Sequence, residues 1–175
     1  MEQLQPNRSL KTLKIVCYFD PKFPTWMMGS SISSALPNLV ELELRDCYLC
    51  QQLPGLGQLP SLKVLTIATM DVVMCLGNDF YGDHEACQPF PELVKFTLSD
   101  LHCLEKWCIA QPRSSFYPRL EMLFVERCPK LKCRQDLDFV TRFFPSIKEY
   151  TLDGAKLISG RTTRKTISLM PSRWS

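Results

Sequence analysis

The residues of this chain that could do chemistry are its nine cysteines and two histidines. Cys47 and Cys50 stand at the C-x-x-C spacing of a zinc ligand pair or a redox dithiol, but no second C-x-x-C exists to complete a four-thiolate site. His84 and Cys87, with Cys75 and His102, make a ligand set on paper. Two histidines among nine scattered cysteines produce such a set by chance, so no metal is expected. Gly55 and Gly57 invite a phosphate-loop reading that fails for want of a following Lys-Ser or Lys-Thr. No nucleophile, histidine and acid share a local motif, and both histidines fall on connectors. Asn7-Arg8-Ser9 matches a glycosylation acceptor, which without secretion is a surface tripeptide. The expectation is a protein without enzyme activity, cofactor or metal.

The place of the cysteines leads to the elements that hold them. Cys47 falls three residues after Leu44, and Cys128 three after Val125, where a strand turns away and a small buried side chain able to bond to backbone is wanted. The run Pro37-Asn38-Leu39-Val40-Glu41-Leu42-Glu43-Leu44 has apolar gaps of three and then two, which suits a chain entering a half-buried strand from a turn. It returns at Pro60–Ile67, Pro91–Leu98, Pro118–Val125 and Pro145–Leu152, and Leu10–Ile15 keeps the frame with Arg8 in place of the proline. From Leu13 to Leu42, Leu65, Phe96, Leu123 and Tyr150 the periods are 29, 23, 31, 27 and 27 residues. These lie in or near the spacing of leucine-rich repeats, about 20–29 residues. The expected fold is an α/β-type solenoid of about six repeats, a horseshoe with a parallel sheet on its concave face and irregular, 3₁₀ or short helical connectors on the convex side. Residues 1–153 form the array, read as a fragment of a longer one because no polar cap covers its start. Residues 154–175 form a basic tail.

Composition narrows the class. The chain has 175 residues, 45% hydrophobic and 22% charged, which is ordinary for a globular domain. No apolar run reaches the roughly 18 residues of a membrane span, and no signal peptide is visible. Nine cysteines without secretory targeting suggest the reducing cytosol, with the nucleus or a peripheral place at the plasma membrane open. The net charge of +3 divides into +5 after Asp153 and −2 before it. The array therefore carries no nucleic-acid footprint, and the tail is a solvated end or a contact for an acidic surface.

Along the connectors, Phe23, Trp26 and Met27 are expected to fold back as an outer layer. Cys47–Pro60, whose prolines and glycines exclude a long helix, is expected to form turns or a 3₁₀ segment. Gly77–Pro89 reads as a polar, protruding interaction loop. Leu101, Leu104 and Trp107, spaced by three, suggest a helical turn or tight arc.

Leu56-Gly57-Gln58-Leu59-Pro60-Ser61-Leu62, Leu76-Gly77-Asn78-Asp79-Phe80-Tyr81-Gly82, Phe90-Pro91-Glu92-Leu93 and Leu104-Glu105-Lys106-Trp107 occur in an order that resembles plant intracellular immune receptors. The resemblance is to the leucine-rich repeat region of coiled-coil, nucleotide-binding disease-resistance proteins, over about residues 9–153. It implies recognition of pathogen effectors, or autoinhibition of a nucleotide-binding switch domain, by protein–protein contact. The chain departs from that pattern in having neither a phosphate loop nor coiled-coil heptads. A cytosolic adaptor, such as the substrate arm of a ubiquitin ligase, is the alternative.

In either case the binding surface would be the strand positions that point away from the core. In order these are Thr12, Lys14 and Val16; Glu41, Glu43 and Arg45; Val64, Thr66 and Ala68; Lys95, Thr97 and Ser99; Met122, Phe124 and Glu126; Glu149, Thr151 and Asp153. The expected partner-binding residues are Lys14, Glu41, Glu43, Arg45, Thr66, Lys95, Thr97, Met122, Phe124, Glu126, Glu149 and Thr151. Met122 and Phe124 mark either an apolar contact patch or a place that other parts of the chain cover.

Overall fold

The computed structural model describes residues 6–29, 31–82, 88–108, 117–132, 140 and 143–158. Among these, seven strands form one sheet in the order β1 (Thr12–Val16), β2 (Glu41–Arg45), β3 (Val64–Ala68), β5 (Lys95–Ser99), β7 (Met122–Glu126), β8 (Glu149–Leu152) and β9 (Ala155–Ile158). The first six run parallel without a register slip, so Leu13, Leu42, Leu65, Phe96, Leu123 and Tyr150 lie side by side. Ile15, Leu44, Ile67, Leu98, Val125 and Leu152 form the next row. A slip of one residue would turn both rows to solvent, so the apolar spacing fixes the register. A third row, Leu39, Leu62, Leu93, Leu120 and Ile147, enters the core from the turn after each proline and is likewise buried. Each such side chain stabilises the array by about 2 kcal/mol.

The strands end in a repeated device. Cys17, Asp46, Thr69, Asp100 and Arg127 each hold φ between 49° and 56°, the left-handed region. Non-glycine residues enter it at a cost of about 1–2 kcal/mol, and Asp tolerates it best. What holds them there is a bond to the next repeat. Cys17, Asp46, Thr69 and Asp100 donate their backbone N–H to Arg45, Ala68, Ser99 and Glu126 carbonyls at 3.0–3.2 Å. The residue that follows is buried in every case: Tyr18, Cys47, Met70, Leu101 and Cys128. Cys47 Sγ lies 3.4 Å from the Arg45 carbonyl oxygen, and Cys128 Sγ 3.4 Å from that of Glu126. The thiols bond to backbone, as their recurring place requires.

The connectors carry 3₁₀ turns at Thr25–Met27 and Leu56–Gln58 and short helices α1 (Ser31–Ala35) and α2 (Asn78–Tyr81). Phe23 and Met27 are buried in the core cluster, and Trp26 is partly buried against it. One expectation for this side is corrected. Gly77–Gly82 is not a protruding loop, because α2 drives Phe80 and Tyr81 into the core; Asp83–Cys87, with His84, lie outside the described residues. For Leu101–Trp107 the tight arc is what forms: a turn closed by Leu104 N–H donating to the Leu101 carbonyl at 3.2 Å, followed by β6 (Lys106–Trp107), which pairs in parallel with β4 (Cys75–Leu76) as a second, two-stranded sheet. A helix there would need room that the close stacking of neighbouring connectors removes. At Gly57, a Cβ would stand 2.4 Å from the Tyr81 carbonyl oxygen.

In the later repeats the core changes from aliphatic to aromatic. Phe80, Tyr81, Phe90, Phe96, Trp107, Tyr117 and Phe144 form one cluster, in which the Phe90 and Tyr117 rings stack at 5.1 Å. Its buried polar atoms are satisfied internally: Trp107 Nε1 donates to the Tyr81 hydroxyl at 2.7 Å, and the Tyr117 hydroxyl lies 3.4 Å from the same oxygen. Burial pushes the Tyr117 phenol well above its ordinary pKa.

The sheet runs past the expected boundary at residue 153. β9 returns antiparallel along β8 through the two-residue turn Asp153-Gly154. Both turn residues have positive φ, 45° and 82°, as a type I′ hairpin requires. The side chains of Leu157 and Ile158, and residues 159–175 of the expected basic tail, lie outside the described residues.

Candidate interaction face

The open face of the sheet collects the residues expected there into three rows. Register places Lys14, Glu43, Thr66, Thr97, Phe124 and Thr151 in the central row. Thr12, Glu41, Val64, Lys95, Met122 and Glu149 make the row beside it. Val16, Arg45, Ala68, Ser99 and Glu126 make the third. Neighbours in a row are about 4.8 Å apart, so the expected residues form one surface. Two positions depart from expectation. Ala68 is fully buried, and Thr151 is only 9% exposed. Thr151 is an inner residue because β9 lies on its far side, with Lys156 as its register partner.

The rows differ in chemistry from one end to the other. At the β1–β2 end Glu43 accepts from Lys14 Nζ at 3.0 Å and from Arg45 Nε at 2.8 Å. Hydrogen bonding from Lys14, then Arg45, holds the Glu43 carboxyl below its usual range, and the same contact raises Lys14. Thr66 and Thr97 occupy the middle. Beyond them Phe124 is half-buried with Lys95 Nζ 5.3 Å from its ring centroid. A neighbour on the same face thus shields the ring in part, and Met122 is also half-buried. Glu149 pairs with Lys156 at 2.7 Å. The arrangement offers fixed charges, hydroxyls and an aromatic ring.

A second set of surface residues escaped the sequence reading. Arg127, just after β7, grips the Asp100 carboxylate with Nε and, at 2.7 Å, with Nη2, and its own backbone N–H reaches Asp153 Oδ1 at 2.7 Å. The Asp153 carboxylate takes the place of the strand carbonyl that the earlier repeats use. Asp71 meets His102 Nδ1 at 3.0 Å, and Tyr48 donates to Asp46 at 3.3 Å. These pairs tie the rim of one repeat to itself or to the next. Their signal in the sequence is an Asp two places after the second strand leucine, in Asp46 and Asp100.

The family described as R13L1/DRL21 LRRs matches residues 1–70. RPP13-like protein 1 of Arabidopsis thaliana, named for disease resistance, is 35% identical over 136 residues, covering 74% of this chain and 12% of its own length. The chain is a leucine-rich repeat region of the plant disease-resistance family. Disease resistance protein RGA2 of Solanum bulbocastanum is 28% identical over 145 residues, 81% of this repeat region and 14% of that protein. The repeat region therefore spans about an eighth of the length of these curated relatives. No solved structure matches it. No helix among the described residues is long and apolar enough to cross a membrane.

Proposed function

We propose that this repeat region is a protein-binding module of a defence receptor that works through the open face of its sheet. Its occupant is a pathogen effector, the receptor's own nucleotide-binding domain, or both in turn. The module does no bond chemistry and acts in the cytoplasm. The observation that carries this reading is the uncovered parallel sheet. Parallel sheets are ordinarily buried on both faces, whereas here no described residue covers the second face, which is furnished with side chains that vary from strand to strand. Variation in charge and size suits one tailored protein surface rather than a repetitive ligand. The relatives, named for disease resistance, support the defence setting.

The test is binding of the purified repeat region to a recombinant nucleotide-binding domain of a coiled-coil receptor of this family, and to candidate effectors. Phe124→Glu places a charge beside Met122 and replaces the ring under Lys95 Nζ by a carboxylate. It is expected to weaken binding at least tenfold with an unchanged melting temperature. Unaltered affinity in the folded variant would remove the sheet face as the binding surface.

A further inference from the structure

A second surface runs along the rim just beyond the left-handed residues. Each connector there buries the first residue after the turn and, from repeat 2 to repeat 5, the fourth as well: Cys47 and Cys50, Met70 and Val73, Leu101 and Leu104, Cys128 and Leu131. Those anchors complete the core, so the residues between them are free to face solvent. In repeats 1–3 the residues between or just beyond the anchors include large apolar ones: Phe19 is 64% exposed, Leu49 50% and Met74 61%, with Tyr48 and Val72 beside them. Every large hydrophobic side chain this exposed among the described residues lies in the first three repeats, and all but Val16 lie on this rim.

Further along the large apolar side chains stop, and in repeat 5 both equivalent places are basic. Three residues after the turn, Leu49 and Val72 give way to Cys103 and Lys130; five after it, Met74 gives way to Glu105 and Lys132. Bonds between repeats show that these places are spatial neighbours: Glu105 N–H donates to the Met74 carbonyl at 2.9 Å, and Lys132 N–H to that of Glu105 at 3.2 Å. Lys130 and Lys132 have no carboxylate partner among the described residues. Asp46 and Asp71, two of the three acids of the apolar half, are already engaged by Tyr48 and His102, and the third is Asp20 beside Phe19.

We propose that this rim docks a protein segment with large apolar side chains at one end and carboxylates at the other. From β2 to β7 the strand spacing gives about 14 Å, which matches roughly ten residues of helix. The apolar half supplies contact area, and the lysines fix the direction in which the segment lies. The left-handed turns hold both halves in place before binding, so little ordering is needed on association. This surface is separate from the sheet face and does not depend on the role given to that face.

The probe is a synthetic 14-residue helical peptide with Leu and Phe in its first half and Glu in its second, followed by fluorescence anisotropy. Leu49→Ser with Met74→Ser, and separately Lys130→Glu with Lys132→Glu, are each expected to weaken binding at least tenfold. Their melting temperatures should not change, because all four side chains are exposed. Raising salt should weaken the wild-type complex, and Phe124→Glu should leave it intact. The proposal is overturned if the peptide does not bind, or if a version with Lys in place of Glu binds equally well. It is also overturned if the rim substitutions have no effect, or if they abolish binding to phosphatidylserine vesicles instead, which would make the rim a membrane contact.

Discussion

At the scale of single residues, the cysteines that first suggested a metal or redox centre have divided into two populations. Cys47 and Cys50 are buried, and desolvation pushes the Cys50 thiol up to about 12 and raises Cys47. A raised pKa keeps a thiol protonated, and only the thiolate is nucleophilic. Cys17, Cys75 and Cys108 are exposed. In native protein at pH 8, iodoacetamide is expected to modify those three and spare Cys47 and Cys50, as read by peptide mass spectrometry. Equal labelling of Cys50 and Cys75 would place Cys50 at the surface. The Asp100–Arg127 pair supplies a pH signature. Hydrogen bonding from Arg127 holds the Asp100 carboxyl below its usual range. A folded value below the unfolded one, near 4, means stability that is present above pH 4 and lost as pH falls through the folded value. Asp100→Asn should therefore lose less melting temperature between pH 4 and pH 2 than the parent protein does. Parallel acid profiles would assign that loss to other carboxylates, Glu43 first.

At the scale of elements, the six parallel strands were legible because Pro-x-Leu followed by two alternating apolar residues states both the strand and its buried face. The rows of the open face follow from the same alternation, which is why Lys14, Glu43, Thr66, Thr97 and Phe124 fall together. Elsewhere the sequence was silent for physical reasons. Two-residue strands such as Cys75-Leu76 and Lys106-Trp107 are too short to show alternation, and their pairing is decided by the stacking of connectors. The rim depends on left-handed turns at Cys17, Thr69 and Arg127, which no periodicity announces. Asp153-Gly154 was a readable hairpin signal, obscured by the end of the leucine period. Gly154→Val, at φ 82°, is expected to unpair β9 while leaving β1 to β7 intact. Faster amide hydrogen exchange confined to β8 and β9 would confirm this, and exchange raised throughout would show that the hairpin holds the whole sheet.

For the whole molecule, stability is a sum of units that touch only their neighbours. Leu42→Asp puts a charge into a fully buried place and should melt the first repeats. How far the damage spreads can be seen because of where the indoles lie. Trp26 belongs to the connector of repeat 1, and Trp107 to that of repeat 4, inside the aromatic cluster and bonded to Tyr81. With Trp174 replaced by Phe, the two become separate local fluorophores in one chain. In Leu42→Asp the emission of Trp26 should change at lower denaturant than that of Trp107, each read in the variant lacking the other. Coincident transitions would mean that the repeats unfold as one body. The aromatic cluster thus gives the later repeats an optical signal of their own, by which binding near one end can be told from binding near the other.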